Sequence, residues 1–210
     1  MKLVRTLCTA LCFGLMSLPV VADELAPDAL VKKVTDEVLT IVRADKDLQN
    51  GNTKKAIDLV ETKVLPHFNF SRMTALALGR EWSKATPEQK TKLTGEFRTL
   101  LVRTYSNALT AYKNQTVEYK AFKMQAGDTD VTVRTQINQP GGKPIGLDYA
   151  LDKQADGWKV YDVVVAGVSL VTNYRESFTQ EIRANGVDGL ISTLATKNKS
   201  LENAAAGKKS

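Results

Sequence analysis

A change of hydrophobic period along the chain predicts an α+β fold, with a curved antiparallel sheet of about four strands packed by about six to seven helices. Three observations carry this expectation. Apolar residues recur at helical spacing as far as Tyr112, alternate at every second position from Gln115 to Val165, and return to helical spacing after Gly167.

The elements follow in order. Leu30, Val34, Val38, Ile41, Val42 and Leu48, with Lys32, Lys33, Asp36 and Glu37 between them, predict an amphipathic helix from Asp28 to Leu48. Asn50-Gly51-Asn52 stops it, and Thr53 caps a second helix that ends at Pro66, because proline disfavours helix in the residue before it. A short third helix from Ser71 to Leu78 carries Met73, Leu76 and Leu78 and closes at Gly79. In Thr86-Pro87-Glu88-Gln89, threonine caps, proline takes the first helical position and Gln89 completes a capping box. The long helix that starts there runs to Tyr112 with a broad stripe of Leu93, Phe97, Leu100, Leu101, Tyr105 and Leu109.

Strands are read at Val117 and Tyr119, at Val131 to Ile137, at Ile145 to Leu151 and at Trp158 to Val165. Turns at Gly127-Asp128, Pro140-Gly141-Gly142 and Asp156-Gly157 connect them into an antiparallel meander. Strict alternation puts Trp158, Val160 and Val164 on one side of the last strand and Tyr161, Val163 and Val165 on the other, so both sides need cover from protein or an apolar ligand. One helix carrying Leu170, Tyr174, Phe178 and Ile182 stops at Asn185-Gly186, and another runs from Val187 to Ala195.

The ends read differently. Lys2 and Arg5 precede an apolar run from Thr6 to Leu18 and the site Val20-Val21-Ala22, the pattern of a secretory signal peptide at 1–22 cleaved after Ala22. That leaves a single domain at 23–196 and an apolar-poor tail at 197–210 expected to be disordered. Cys8 and Cys12 leave with the leader, so the exported chain relies on its core without disulfides. The formal net charge of +6 falls by the two charges of Lys2 and Arg5, a diffuse excess that suits anionic surfaces and not a nucleic-acid groove.

Catalytic chemistry has few candidates. The one histidine, His67, follows a helix end, and Ser71 is better placed as a helix cap than as a nucleophile beside it. One histidine and no mature cysteine exclude the usual zinc sets, and Asp128-Thr129-Asp130 lacks the remaining oxygen ligands of a calcium loop. No metal, cofactor or catalytic residue is assigned. Apolar capacity remains: Leu76, Phe97, Leu101, Tyr105 and Leu109 on helices; Val133, Ile137, Leu147, Tyr149, Val163 and Val165 on strands; and Leu170, Tyr174 and Phe178 after the sheet. These residues suit either core packing or the lining of a cavity between sheet and helices, and composition does not choose between the two.

Specific residues do choose. Gly157-Trp158-Lys159-Val160-Tyr161-Asp162-Val163, Ala166-Gly167-Val168-Ser169-Leu170-Val171, Tyr174-Arg175, Phe178 and Gly186-Val187-Asp188-Gly189-Leu190 form an ordered series. Upstream stand Phe68-Asn69-Phe70, Met73 with Leu78-Gly79, Trp82, and Thr86-Pro87-Glu88-Gln89 leading to Phe97. Together they resemble the toluene-tolerance family, the periplasmic phospholipid-binding proteins of the Mla system for outer-membrane lipid asymmetry. The resemblance covers nearly all of the mature chain. It implies a monomeric carrier that holds the acyl chains of a glycerophospholipid in an apolar cavity and needs no cofactor. It implies as partners an inner-membrane Mla-type ABC transporter complex and an outer-membrane lipoprotein–porin complex. The fourteen apolar residues above become the expected lipid lining, with Val163 and Val165 facing acyl chain while Trp158 and Val160 pack protein, or the reverse. A chaperone or adaptor for apolar protein segments, and a hydrolase using His67, are the competing readings.

Overall fold

The computed structural model describes residues 25–207; the expected leader and its cleavage site lie outside them. Helices α1 (Pro27–Ala44), α2 (Lys46–Gln49) and α3 (Thr53–Leu59) come first. The stripe expected to be continuous to Leu48 breaks at Asp45, whose side chain accepts from the amides of Asp47 and Leu48 and so caps α2. Asn52, one residue before the expected Thr53, caps α3 by accepting from the Lys55 amide. The chain then loosens into a π-helical turn at Val60–Val64 and a 3-10 turn at Leu65–His67 before α4 (Phe70–Leu78). Asn69, not Ser71, caps α4, and Gly79 ends it at φ 57.

Helix α5 (Pro87–Tyr105) starts with the expected capping box, but the long helix ends at Tyr105 and resumes as the single turn α6 (Asn107–Thr110). Ser106, buried at the junction, bonds its hydroxyl back to the carbonyl of Val102.

The sheet consists of β1 (Thr116–Tyr119), β2 (Asp130–Asn138), β3 (Ile145–Gln154), β4 (Gly157–Val165) and β5 (Val168–Ser169), antiparallel and in sequence order. It has five strands where about four were expected. The extra one is a two-residue strand formed because Ala166 and Gly167 both take positive φ, 50 and 85, the geometry of a tight hairpin turn that pairs Val168 with Val165.

A second departure changes both faces. On β3, Ala150 pairs with Asp162 and its neighbour Leu151 pairs with Val160, so Tyr161 is an extra residue in β4. This bulge shifts the alternation by one. Trp158 and Val160 therefore share a face with Val163 and Val165, not with Val164, and join Val131, Val133, Leu147, Tyr149 and Leu151 in one apolar layer under Leu30, Val31 and Val34 of α1.

Tyr161 goes to the opposite face. There its hydroxyl donates to Asp130 at 2.7 Å and its ring lies under the Arg72 guanidinium at 3.6 Å. Arg72 pairs with Asp130 at 2.6 Å and with buried Asp152 at 3.0 Å, while Asn69, the α4 cap, donates to the same Asp152 oxygen. The Asn69 amide also bonds the carbonyl of Val160. The start of α4 is thus fastened to the bulge.

The last helix, α7 (Arg175–Gly207), is two helices joined at Gly186, whose φ of 73 is not helical. A Cβ on Gly189 would lie 2.3 Å from the Cβ of Asn185, so both glycines are needed for the second half to turn back past the first. Thr193 bonds Glu181 across the bend. The expected disordered tail from Lys197 is helix as far as Gly207. Asn198 is buried and donates to Glu96 of α5, Arg103 bonds the Asn198 carbonyl and Glu202, and Leu201 packs on the helical core. Composition missed this because the segment is held by tertiary bonds and not by apolar bulk of its own.

Arg72→Ala removes the ion-pair partner of the Asp152 carboxylate, which is 6% exposed, and leaves it only the hydrogen bonds from Asn69 and Gln154. The loss of stability expected in urea unfolding is about 2–3 kcal/mol, between the values for surface and buried ion pairs.

Candidate functional site

Buried apolar residues form three clusters in place of the single contiguous core usual for one domain. The first is helical, built on Met73, Leu93, Phe97, Leu101, Phe178 and Leu190 from α4, α5 and α7. The second is the sheet layer under α1. The third joins Val38 and Val42 of α1 to Leu48, Ala56 and Leu59. Phe68 packs against the first and second, and Val34 against the second and third. Where clusters adjoin, large side chains stay half-buried.

The expected lining residues distribute accordingly. Val133, Tyr149 and Val163 lie side by side across three strands, with Leu147 beside Val165 in the next row and Leu170 bonded back to the Val163 carbonyl. These six make one continuous patch of the sheet layer, half-buried at Leu147, Tyr149, Val165 and Leu170. Ile137, paired with Ile145, lies at the far end of the same strands.

The helical residues gather separately. The rings of Phe97, Tyr174 and Phe178 form a triangle with centroids 5.2 to 5.4 Å apart. Tyr174 meets Tyr105, and burial followed by that neighbour pushes its phenol up to about 12. Phe97, Leu101 and Phe178 are buried, so they pack as core; Leu76, Tyr105 and Tyr174 edge the cluster half-buried. Leu109 belongs to the third cluster. The expected set is therefore a sheet patch and a helical patch with one outlier, not a single wall.

Several contributors carry no strong sequence signal. Val34, Thr35 and Phe122 reach the sheet layer from α1 and from the loop after β1. Thr35 lies beside the hydroxyls of both Tyr149 and Tyr119. Tyr119 donates to Asp36 at 2.9 Å, and Lys32 pairs with the same carboxylate at 2.7 Å while sitting 4.7 Å above the Tyr119 ring. The Lys32 bond holds the Asp36 carboxyl below its ordinary range. Burial pushes the Tyr149 phenol up to about 12.

Two shallow hollows lie elsewhere. One of about 470 Å³ is lined by Ser192, Thr193, Thr196, Lys197 and Ser200, and one of about 420 Å³ by Thr172, Arg175, Glu176, Thr179, Gln180 and Arg183. Neither touches an expected lining residue except through the sequence neighbours of Tyr174 and Phe178. Among the described residues no group of three or more His, Cys, Asp and Glu side chains is placed to hold a metal, and no helix is long and apolar enough to cross a membrane. His67 is half-buried beside Lys159, Lys33 and Glu37; burial, then the two lysines, lower its pKa from the usual 6.5.

The sheet layer lies under α1, with Leu147, Tyr149, Val165 and Leu170 half-buried beside it, an apolar surface of the kind that sites for apolar ligands are built on. Comparison with known proteins narrows the class. The chain belongs to the MlaC protein family, whose model matches residues 32–196. It is 26% identical over 174 residues to the intermembrane phospholipid transport system binding protein MlaC of Haemophilus influenzae, covering 81% of each chain. It is 26% identical over 163 residues to the toluene tolerance protein ttg2D of Pseudomonas putida, covering 77% of this chain and 75% of that one. A phospholipid-binding protein from Ralstonia solanacearum, solved in complex with a phospholipid, is 42% identical with a TM-score of 0.78, over 85% of this chain and 99% of its own. The family expected from the sequence is thus the family found.

Because folding lowers the His67 pKa, the unfolded chain binds the proton more readily, so stability falls as pH drops through 6.5 towards the folded value and is level above it. His67→Gln is expected to shrink the difference between urea midpoints at pH 7.5 and pH 5.5. An unchanged difference contradicts the assignment.

Proposed function

We propose that this protein is an exported phospholipid carrier that takes the acyl chains of a glycerophospholipid against the inner face of its sheet and leaves the headgroup towards solvent. The observation that carries this reading is the 42% identical relative solved with a phospholipid, whose fold this chain shares over 85% of its length. The bulge supports it from within, because it collects Val163 and Val165 with Leu147 and Tyr149 on one face.

The energetics suit a carrier. Each buried methylene is worth about 0.8 kcal/mol relative to water, so two chains of about 16 carbons amount to on the order of 20 kcal/mol. Tails of that size do not travel exposed. Relative to a bilayer the transfer is nearly neutral, so loading and release run near equilibrium and a partner supplies direction. On this reading the chain works as a monomer in the periplasm between an outer-membrane lipoprotein–porin complex and an inner-membrane ABC transporter complex, and returns its cargo chemically unchanged. An apolar wall separates chain lengths by only about 1–3 kcal/mol per methylene, so broad glycerophospholipid binding is expected.

Organic extraction and mass spectrometry of gently purified protein should recover phospholipid of several headgroups. Protein that yields none, even after incubation with vesicles, overturns the reading. The inner face is tested by a pair of neighbours: Val165→Lys buries a charge in the lipid path and should cut phospholipid content roughly tenfold or more, whereas Val164→Lys on the opposite face should leave it unchanged. Equal losses in the two variants contradict the face assignment.

A further inference from the structure

Arg72, Arg98, Arg103 and Arg134 each pair with a carboxylate, and Arg43 donates to the Tyr112 hydroxyl. Among the described residues, Arg80, Arg175 and Arg183 have no such carboxylate, and they lie on one side of the protein. Arg175 and Arg183 line the hollow of about 420 Å³ on α7 together with Thr172, Glu176, Thr179 and Gln180. Gly79, the residue before Arg80, lies against the Arg175 side chain: a Cβ built on it would sit 3.7 Å from Nε.

The positive charge here is held in place and left uncancelled. Arg175 donates through Nε and Nη2 to the Leu76 carbonyl at 3.1 and 2.8 Å, which fixes its fork at the hollow without neutralising it. Glu176, the carboxylate of the hollow, accepts from Gln180 at 3.2 Å. Beside Arg80, Glu81 is taken by Lys84 at 2.8 Å. Three guanidiniums therefore stand against the single unpaired carboxylate of Glu176, and the surface is net positive.

The border of this surface is apolar. Arg175 follows Tyr174 and is bonded to the carbonyl of Leu76, two of the half-buried side chains that edge the helical cluster. Positive charge beside a partly exposed apolar edge suits contact with anionic headgroups next to hydrocarbon. The hollow favours lipid over an acidic protein as the occupant, because arginine forks grip a phosphate with paired hydrogen bonds, whereas an acidic protein surface asks for positive charge but not for a concavity. We propose that the Arg80, Arg175 and Arg183 surface docks the protein reversibly on an anionic phospholipid bilayer, with one headgroup phosphate seated in the hollow. Each basic residue near such a membrane raises partition about fivefold, so three supply on the order of a hundredfold, weak enough for a carrier to leave again. The inference goes beyond the carrier reading and is measured apart from it, since association with a vesicle requires no cargo.

Flotation of the purified full chain with vesicles provides the test. Vesicles of phosphatidylcholine with about one-third phosphatidylglycerol are expected to capture at least about tenfold more protein at low salt than phosphatidylcholine alone, a difference that salt of about 0.5 M should abolish by screening. Arg80→Glu and Arg183→Glu, both at exposed side chains outside the core, should each cut capture by about tenfold or more, and each gives an independent reading should the other fold poorly. Lys54→Glu makes the same change in net charge at an exposed position of α3 and should leave capture unchanged. Equal capture by the two kinds of vesicle, or equal losses in the lysine and arginine variants, overturns the proposal. Capture that survives both arginine reversals overturns it too, and leaves an acidic protein as the occupant of this surface.

Discussion

One inserted residue governs what each face of the sheet is able to do. With strict alternation, β4 would divide its valines between two surfaces, and neither would be apolar enough for a deep ligand or clean enough for a helix. Tyr161 as a bulge puts Val160, Val163 and Val165 in register with Leu151, Tyr149 and Leu147 on one side. It also brings its own phenol to the other side, where Asp130 and Arg72 receive it. The apolar layer and the docking of α4 are therefore consequences of the same local distortion, and the α4 cap Asn69 is bound both to the strand and to Asp152.

How much of this was legible depends on the range of the forces involved. The capping box at Thr86, the strand spans and the break at Asn185-Gly186 are local, set by backbone groups within a few residues, and they stand where the sequence placed them. The bulge is not local. A register shift changes no composition and becomes visible only when β3 is laid beside β4, so the alternation read from β4 alone assigned Val163 and Val165 to the wrong partners. The helical tail has the same cause: Asn198 and Leu201 are held by Glu96, Arg103 and the helical cluster, about a hundred residues earlier in the chain. Of the candidate lining, the strand residues emerged together because alternation links them. The helical ones were scattered between core and edge because a broad stripe does not say which of its sides meets which neighbour.

A core divided into three clusters has an energetic meaning. Each cluster is close-packed at its centre, around Phe97 in the helices, Leu151 in the sheet and Val42 in the third, and all three of these side chains are fully buried. The boundaries are softer, since Tyr105, Tyr149, Tyr174, Val165 and Leu109 keep part of their surface in water. Hydrophobic stabilisation scales with area removed from water, at about 25 cal/mol per Å², so the free protein forgoes stability along those boundaries. On the proposed function a bound acyl chain supplies the missing contacts, which ties ligand occupancy to resistance against unfolding by mass action.

The outer strands of the sheet are short. β1 is four residues long with Glu118 on it and Lys120 directly after it, and β5 is two residues long. The three central strands, each nine or ten residues, have their backbone groups occupied by neighbours. A chain that keeps greasy side chains within reach of solvent runs the risk of pairing edge to edge into fibrils. Here β5 offers too few free rungs and β1 carries charge at its edge, and both features disfavour edge-to-edge pairing.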